Sequence, residues 1–372
     1  MTVSRRSIAE TQPPLLAVRV AARCAARVAT PLASALAAGL LAVATPAGAQ
    51  EVTLKVSHPL PPPSTAHAKF LVPWTQKVEA ECPGRVKFQI LPAMQLGGTP
   101  AQLYDQARDG LADMIWTVLG YTPGRFPATE VFELPFMTKT AQGSSRALWE
   151  YARTNGLFDS ELKDVRPLAL HVHDEGLIHT TSRQVRTLAD FKGLKLRGPT
   201  RLTTQMIAAL GATPVGMPVT QVGEALSKGV VDGALLPWEI VPATRVHELV
   251  KFHTETDPKA RALYTATFVF AMNRASYDRL PPDVKRCIDA NSGVELSAWI
   301  GKVWDDSSAG ARKLAVDRGN VFYTVPESEL ADWDKASAGV VGQWSREVAA
   351  RGMNADALLR SAKELIGKYD GK

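Results

Sequence analysis

His171 and His173 stand two residues apart on one face of an extended run, with Asp174, Glu175 and His179 close by. Two imidazoles beside a carboxylate are the donor types of a zinc site, which needs a third ligand and fixed geometry as well. The spacing matches no metal motif. Hydrogen-bonded histidines at a lobe edge are the plainer reading, and no metal or other cofactor is expected. Asp232 and Glu239 do not pair as acid and base, and Asp232 reads as the shaper of the turn before Gly233. There is no GxSxG elbow, no P-loop, no GxGxxG after a strand and no HExxH, so no catalytic step is expected. Cys82 and Cys287 each sit alone in a helical pattern. Two readings stay open for them: a disulfide in an oxidising compartment, or two buried thiols.

The elements that must position these residues alternate. Val52, Leu54 and Val56 alternate with polar neighbours and predict a strand. The proline-rich loop His58–Ser64 cannot be helical, and Thr65 then opens a helix to about Glu81. Val86–Leu91 is a second strand, Thr99 to about Gly110 a helix, and Ala112–Trp116 a third strand. This βαβαβ order predicts a parallel, doubly wound sheet. A second unit follows: strands Pro167–His173, Leu194–Arg197, Ala212–Val215 and Val231–Leu236, with helices Arg201–Leu210 and Val219–Lys228. Thr265–Met272 reads as a central strand. Pro281 to about Arg318 reads as one or two long helices, with Gly293, Gly301 and Gly310 as weak points, and the C-terminus is helical around a short strand, Val321–Val325. No internal sequence repeat or linker is apparent. Two α/β units without a linker predict a cleft between them, with ligand at the carboxyl ends of strands.

Residues 1–49 differ from the rest. They carry five arginines and one glutamate, then an apolar run, Pro31–Ala44, and small residues at Ala47 and Ala49. That order predicts a secretory signal peptide cut before Gln50, and so a periplasmic protein. Removing five Arg and one Glu lowers the net charge from +6 to +2. So small a surplus predicts no nucleic-acid partner. No later segment has transmembrane length, and a monomer that is not membrane-embedded is expected.

Four stretches, in order, resemble the solute-binding proteins of tripartite ATP-independent periplasmic (TRAP) transporters, of the C4-dicarboxylate-binding type. They are Leu91–Gly98 with Arg108–Met114; Phe132–Phe136; Leu188–Pro199, reading LADFKGLKLRGP; and Gly211–Pro218 with Glu224–Gly233. The resemblance implies a small organic acid as ligand and two membrane subunits, small and large, as partners. It implies two α/β lobes closing on the ligand and a long helix spanning both. The expected division is residues 50–174 and 263–302 for one lobe, and 175–262 and 303–372 for the other. It also implies that Arg197 anchors the ligand. The chemistry agrees: a guanidinium at a strand end offers a planar fork to a carboxylate.

The pattern has one departure. Where many relatives carry an Asn-Pro pair after Asp232-Gly233, this chain has Ala234-Leu235-Leu236-Pro237-Trp238-Glu239. Trp238, Trp116, Tyr121, Phe136 and Phe268 are expected to form the walls, and Met217, Glu239, His58 and His173 are further expected ligand contacts. One Arg among rings favours a monocarboxylate with an apolar or aromatic body over a C4-dicarboxylate, which would want a second cationic or amide contact.

Overall fold

A computed structural model describes residues 51–370, and the predicted signal peptide lies outside the described residues. Eleven strands and twelve α-helices follow one another as β1 (Val52–Ser57), α1 (Val72–Glu81), β2 (Val86–Leu91), α2 (Leu103–Arg108), β3 (Met114–Val118), α3 (Ala141–Thr154), β4 (Val165–Val172), β5 (Gly176–Thr180), α4 (Leu188–Phe191), β6 (Lys195–Gly198), α5 (Arg201–Ala209), β7 (Thr213–Gly216), α6 (Val222–Ser227), β8 (Gly233–Pro237), α7 (Val246–Leu249), β9 (Phe252–Thr256), β10 (Thr267–Asn273), α8 (Arg274–Asp278), α9 (Pro282–Ala290), α10 (Val294–Asp317), β11 (Val321–Val325), α11 (Glu327–Ala350) and α12 (Ala355–Tyr369). Most sequence-predicted elements fall within a few residues of these. Strands β5 and β9 and helices α3, α4, α7 and α8 have no counterpart among the predicted elements.

The strands form two sheets, in the orders β2-β1-β3-β10-β4 and β11-β9-β5-β8-β6-β7. In the first, β1 pairs in parallel with β2 and β3, but β10 lies antiparallel between β3 and β4. In the second, β6 is parallel to β7 and β8, while β5 runs antiparallel to β8 and β9. The expectation of a purely parallel sheet is therefore corrected to two mixed sheets. The cause is the chain path. Only His173–Glu175 separate β4 from β5, and the chain goes straight from one sheet into the other. It returns over residues 257–266 to lay β10 into the first sheet. The central strands β3, β8 and β10 are buried along their whole length. That is why they read as continuous apolar runs and not as alternating ones.

Helix α10 has 24 residues and spans about 36 Å at 1.5 Å per residue. It packs on α3 and β4 at one end and on the turn after β8 at the other, so it touches both sheets' layers. Gly293, at φ +92°, breaks the predicted helical run ahead of it. Gly301 does something else. A Cβ there would lie 2.3 Å from the Ala141 carbonyl oxygen, so glycine lets α10 and α3 approach closely. Cys82, at the end of α1, is disulfide-bonded to Cys287 in α9 with Cα atoms 6.4 Å apart, which decides between the two open readings.

Candidate functional site

A cleft opens where the carboxyl ends of β1, β3, β6 and β8 converge with the β9–β10 crossover. One wall comes from the end of β3: Trp116, Val118 and Tyr121. Opposite it stand Arg197 of β6, then Leu236, Pro237, Glu239 and Ile240 at the end of β8. Tyr264 and Phe268 close the remaining side.

Arg197 is 1% exposed. Its Nε donates to the Met217 carbonyl at 3.0 Å and its Nη1 to the Leu235 carbonyl at 2.9 Å. These two bonds fix the plane of the guanidinium. Nη2 is buried and has no hydrogen-bond partner, and Arg197 has no carboxylate partner among the described residues. Burial lowers its pKa from the ordinary range, while the Tyr121 and Tyr264 oxygens act in the opposite direction. Arginine nevertheless stays charged at any ordinary pH. A buried cation with one fork arm unmet is a strong attractor for an anion.

The aromatic wall is built with equal care for its polar atoms. Trp116 stacks on Phe268, with centroids 5.1 Å apart and planes 11° apart, and Phe268 stacks in turn on His171. The register accounts for this. Phe270 lies opposite Trp116 in β3, and Phe268 opposite His171 in β4, so the three rings share one face. Trp116 Nε1 donates to His171 Nε2 at 2.8 Å, and His171 Nδ1 bonds the Val172 carbonyl. Burial pushes the His171 pKa down to about 3 and the His173 pKa to about 4, so both rings are neutral. His173 accepts from Ala266 N at Nε2, and its Nδ1 faces the Asp174 carbonyl. Every ring nitrogen of the pair is thus taken up by the protein. No group of three His, Cys, Asp or Glu at metal-binding geometry exists among the described residues.

Of the ten sequence-predicted site residues, the cleft gathers Arg197, Trp116, Tyr121, His173, Glu239 and Phe268. The other four lie elsewhere. Trp238 sits between two cleft residues, Pro237 and Glu239, in the turn after β8, but its side chain is directed away from the cleft. Its ring stacks on Phe322, and its Nε1 donates to Glu255 Oε1 at 2.9 Å. Phe136, at φ +55°, turns into the core of the first sheet's helical layer. His58 is buried and bonds His67 and Leu60 N, so it shapes the first loop while Pro59 and Leu60 reach the cleft. The expected polar contacts from that loop are replaced by apolar ones. Met217 contributes its carbonyl to Arg197 and not its side chain to the cleft.

Tyr264 is the main residue that sequence reasoning missed. It lies in an irregular crossover with no periodic signal. The one local sign is Gly176, where a Cβ would lie 2.1 Å from the Tyr264 ring. Glycine at the start of β5 therefore makes room for that ring. Glu239 is buried, its Oε2 has no partner, and desolvation raises its pKa to about 8.

The profile of the DctP family, bacterial extracellular solute-binding protein family 7, matches residues 56–347. The chain belongs to this family. DctP-family proteins bind solutes rather than transform them. Among solved structures, a TRAP solute-binding protein from Rhodoferax ferrireducens with copurified benzoate is 50% identical, with TM-score 0.84, over 86% of this chain and 98% of the other. A marine metagenome TRAP protein specific for aromatic acids, with 3-hydroxybenzoate, is 48% identical, with TM-score 0.84, over 86% and 99%. A Bordetella bronchiseptica TRAP protein with (R)- and (S)-mandelate is 31% identical, with TM-score 0.78, over 85% and 99%. This DctP-family chain therefore has the two-lobed α/β fold of TRAP receptors. No helix of its described residues is long and apolar enough to cross a membrane.

Proposed function

We propose that this protein is the periplasmic receptor of a TRAP transporter and that it captures an aromatic monocarboxylate for delivery to the membrane subunits. The observation that carries the ligand class is Arg197 Nη2, a buried and unpartnered donor in a cleft otherwise walled by rings and aliphatic side chains. A carboxylate satisfies that donor and neutralises the charge; an aromatic body matches Trp116, Phe268 and Leu236. Tyr121 Oη accepts from Val219 N at 3.1 Å, which leaves its own proton free for the same carboxylate. A C4-dicarboxylate would bring a second negative charge to a wall that offers no second cation among the cleft residues. Benzoate, hydroxybenzoate and mandelate in the similar structures support this reading.

In the same reading the protein acts as a monomer, its signal peptide is removed after Ala49, and no chemical step accompanies binding. The lobes are built on the two sheets, with hinges at His173–Glu175 and in the β9–β10 crossover. Isothermal titration against benzoate, mandelate, succinate and malate tests the proposal. Aromatic monocarboxylates should bind at least tenfold more tightly than the dicarboxylates. Preferred binding of succinate or malate would overturn it.

A further inference from the structure

The cleft has a second polar feature away from Arg197, and the proposed ligand reading gives it no task. Glu239 is 7% exposed, its Oε2 has no hydrogen-bond partner, and it lines the cleft just beyond the end of β8. The β6–β8 register puts Arg197 level with Ala234, five residues before Glu239 along the same strand and turn. The groups acting on Arg197 are Tyr121 and Tyr264, whereas Tyr264 feels both Arg197 and Glu239. Arg197, Tyr264 and Glu239 line the one cavity, and no ion pair joins the guanidinium to the Glu239 carboxyl among the described residues.

Of the other polar groups facing the cleft, the Tyr264 hydroxyl makes no hydrogen bond among the described residues, while His173 and Tyr121 are engaged. His173 uses both ring nitrogens, and the Tyr121 oxygen holds Val219 N beside the carboxylate end. Resting on the aromatic monocarboxylate reading, we infer that Glu239 is a specificity-determining residue, whose Oε2 bonds a hydroxyl carried on the ligand ring at position 3 or 4. A phenolic hydroxyl both donates and accepts, so it suits a carboxyl in either protonation state. Burial holds that carboxyl protonated up to about pH 8, in which state it needs no counter-ion. An unsubstituted ring would leave Oε2 without a partner in the cleft, and buried unmet polar groups are what lets a site reject an analogue lacking a hydroxyl. A hydroxyl at position 2 lies beside the carboxylate, at the Arg197 end, and would not reach. The Thr65 hydroxyl and Trp304 Nε1, the latter itself without an acceptor, lie near Glu239 and are the rival partners for its carboxyl.

The test is titration of the full mature chain with benzoate and 2-, 3- and 4-hydroxybenzoate, repeated for Glu239→Leu and Glu239→Gln. The wild type should favour the 3- or 4-hydroxy acid over benzoate at least tenfold. Glu239→Leu should bring that ratio close to one, and Glu239→Gln should keep most of it. A wild-type ratio near one, as expected if Oε2 turns onto Trp304, overturns the inference without any variant. So does a ratio that survives Glu239→Leu in folded protein. If benzoate and its hydroxylated relatives all fail to bind folded wild type, the ligand reading itself fails, which is a different outcome.

Discussion

The two sheets carry the same four-strand frame and end in different chemistry. Strands β2-β1-β3-β10 of the first match β7-β6-β8-β5 of the second in order and direction. The turns match in detail. Gly110 (φ +76°) precedes β3 and Gly229 (φ +66°) precedes β8. Asp113 accepts from Lys55 N at 2.9 Å, and Asp232 from Lys195 N at 2.8 Å. The cleft ends diverge. The first sheet delivers Trp116, Val118 and Tyr121; the second delivers Arg197, Leu236 and Glu239. A repeated backbone thus holds a non-repeated site: one half presents rings and the other the buried cation, which under the proposed function meet the ligand's apolar body and its carboxylate. Neither half lines the cleft alone, so the site needs both sheets.

The largest expected effect breaks the charged half. Arg197→Ala should weaken ligand binding at least a hundredfold, about 3 kcal/mol, since the ligand carboxylate loses its buried partner. The same variant should keep or raise ligand-free stability, because it removes an uncompensated buried cation. Calorimetric titration with thermal unfolding reads both. The covalent staple belongs to the first half alone. Replacing Cys82 and Cys287 by serine should cost about 2–4 kcal/mol of stability, measured by denaturant unfolding, with little effect on affinity at 25 °C.

Breaking the aromatic half should cost less than losing Arg197. Trp116→Phe leaves the buried His171 Nε2 without its donor, which should cost about 1–3 kcal/mol of stability and weaken binding. Trp238→Phe is the control. Its ring faces Glu255, so affinity should change less than about twofold while stability falls by roughly 1 kcal/mol with the lost hydrogen bond.

Titration sharpens the comparison further. His171, His173 and His179 are held neutral by burial, at about 3, 4 and 4. The unfolded chain takes up those protons below about pH 6.5, so stability from these groups is lost as pH falls through that value. Burial raises Glu175 and Glu239 to about 8. For them the unfolded chain gives up protons above about pH 4.5, and stability falls as pH rises towards 8. The slopes oppose each other between about pH 4.5 and 6.5, so unfolding should show a shallow plateau there and a decline on either side.

Much of this frame was legible in the sequence, because apolar runs, prolines and glycines report local backbone directly. Arg197 was legible through its place in LADFKGLKLRGP, and the absence of an amide at Leu235–Leu236 pointed towards an apolar ligand body. Strand directions were not legible. Antiparallel insertion of β10 and β5 depends on where the chain crosses between sheets, which no local period encodes. The direction of Trp238 depended on a single residue of turn phase, which placed Pro237 and Glu239 at the cleft and the ring behind it. Tyr264 lay in irregular chain, and its one trace was the glycine that makes room for it. The repeat itself is a property of topology and turn geometry, so the sequence hides it.

A crystal structure with benzoate soaked into the cleft tests the central claim most directly. The account predicts the carboxylate on Arg197 Nη2 and the ring between Trp116, Phe268 and Leu236. A ligand whose carboxylate lies away from Arg197, or whose ring sits against Trp238, would contradict it.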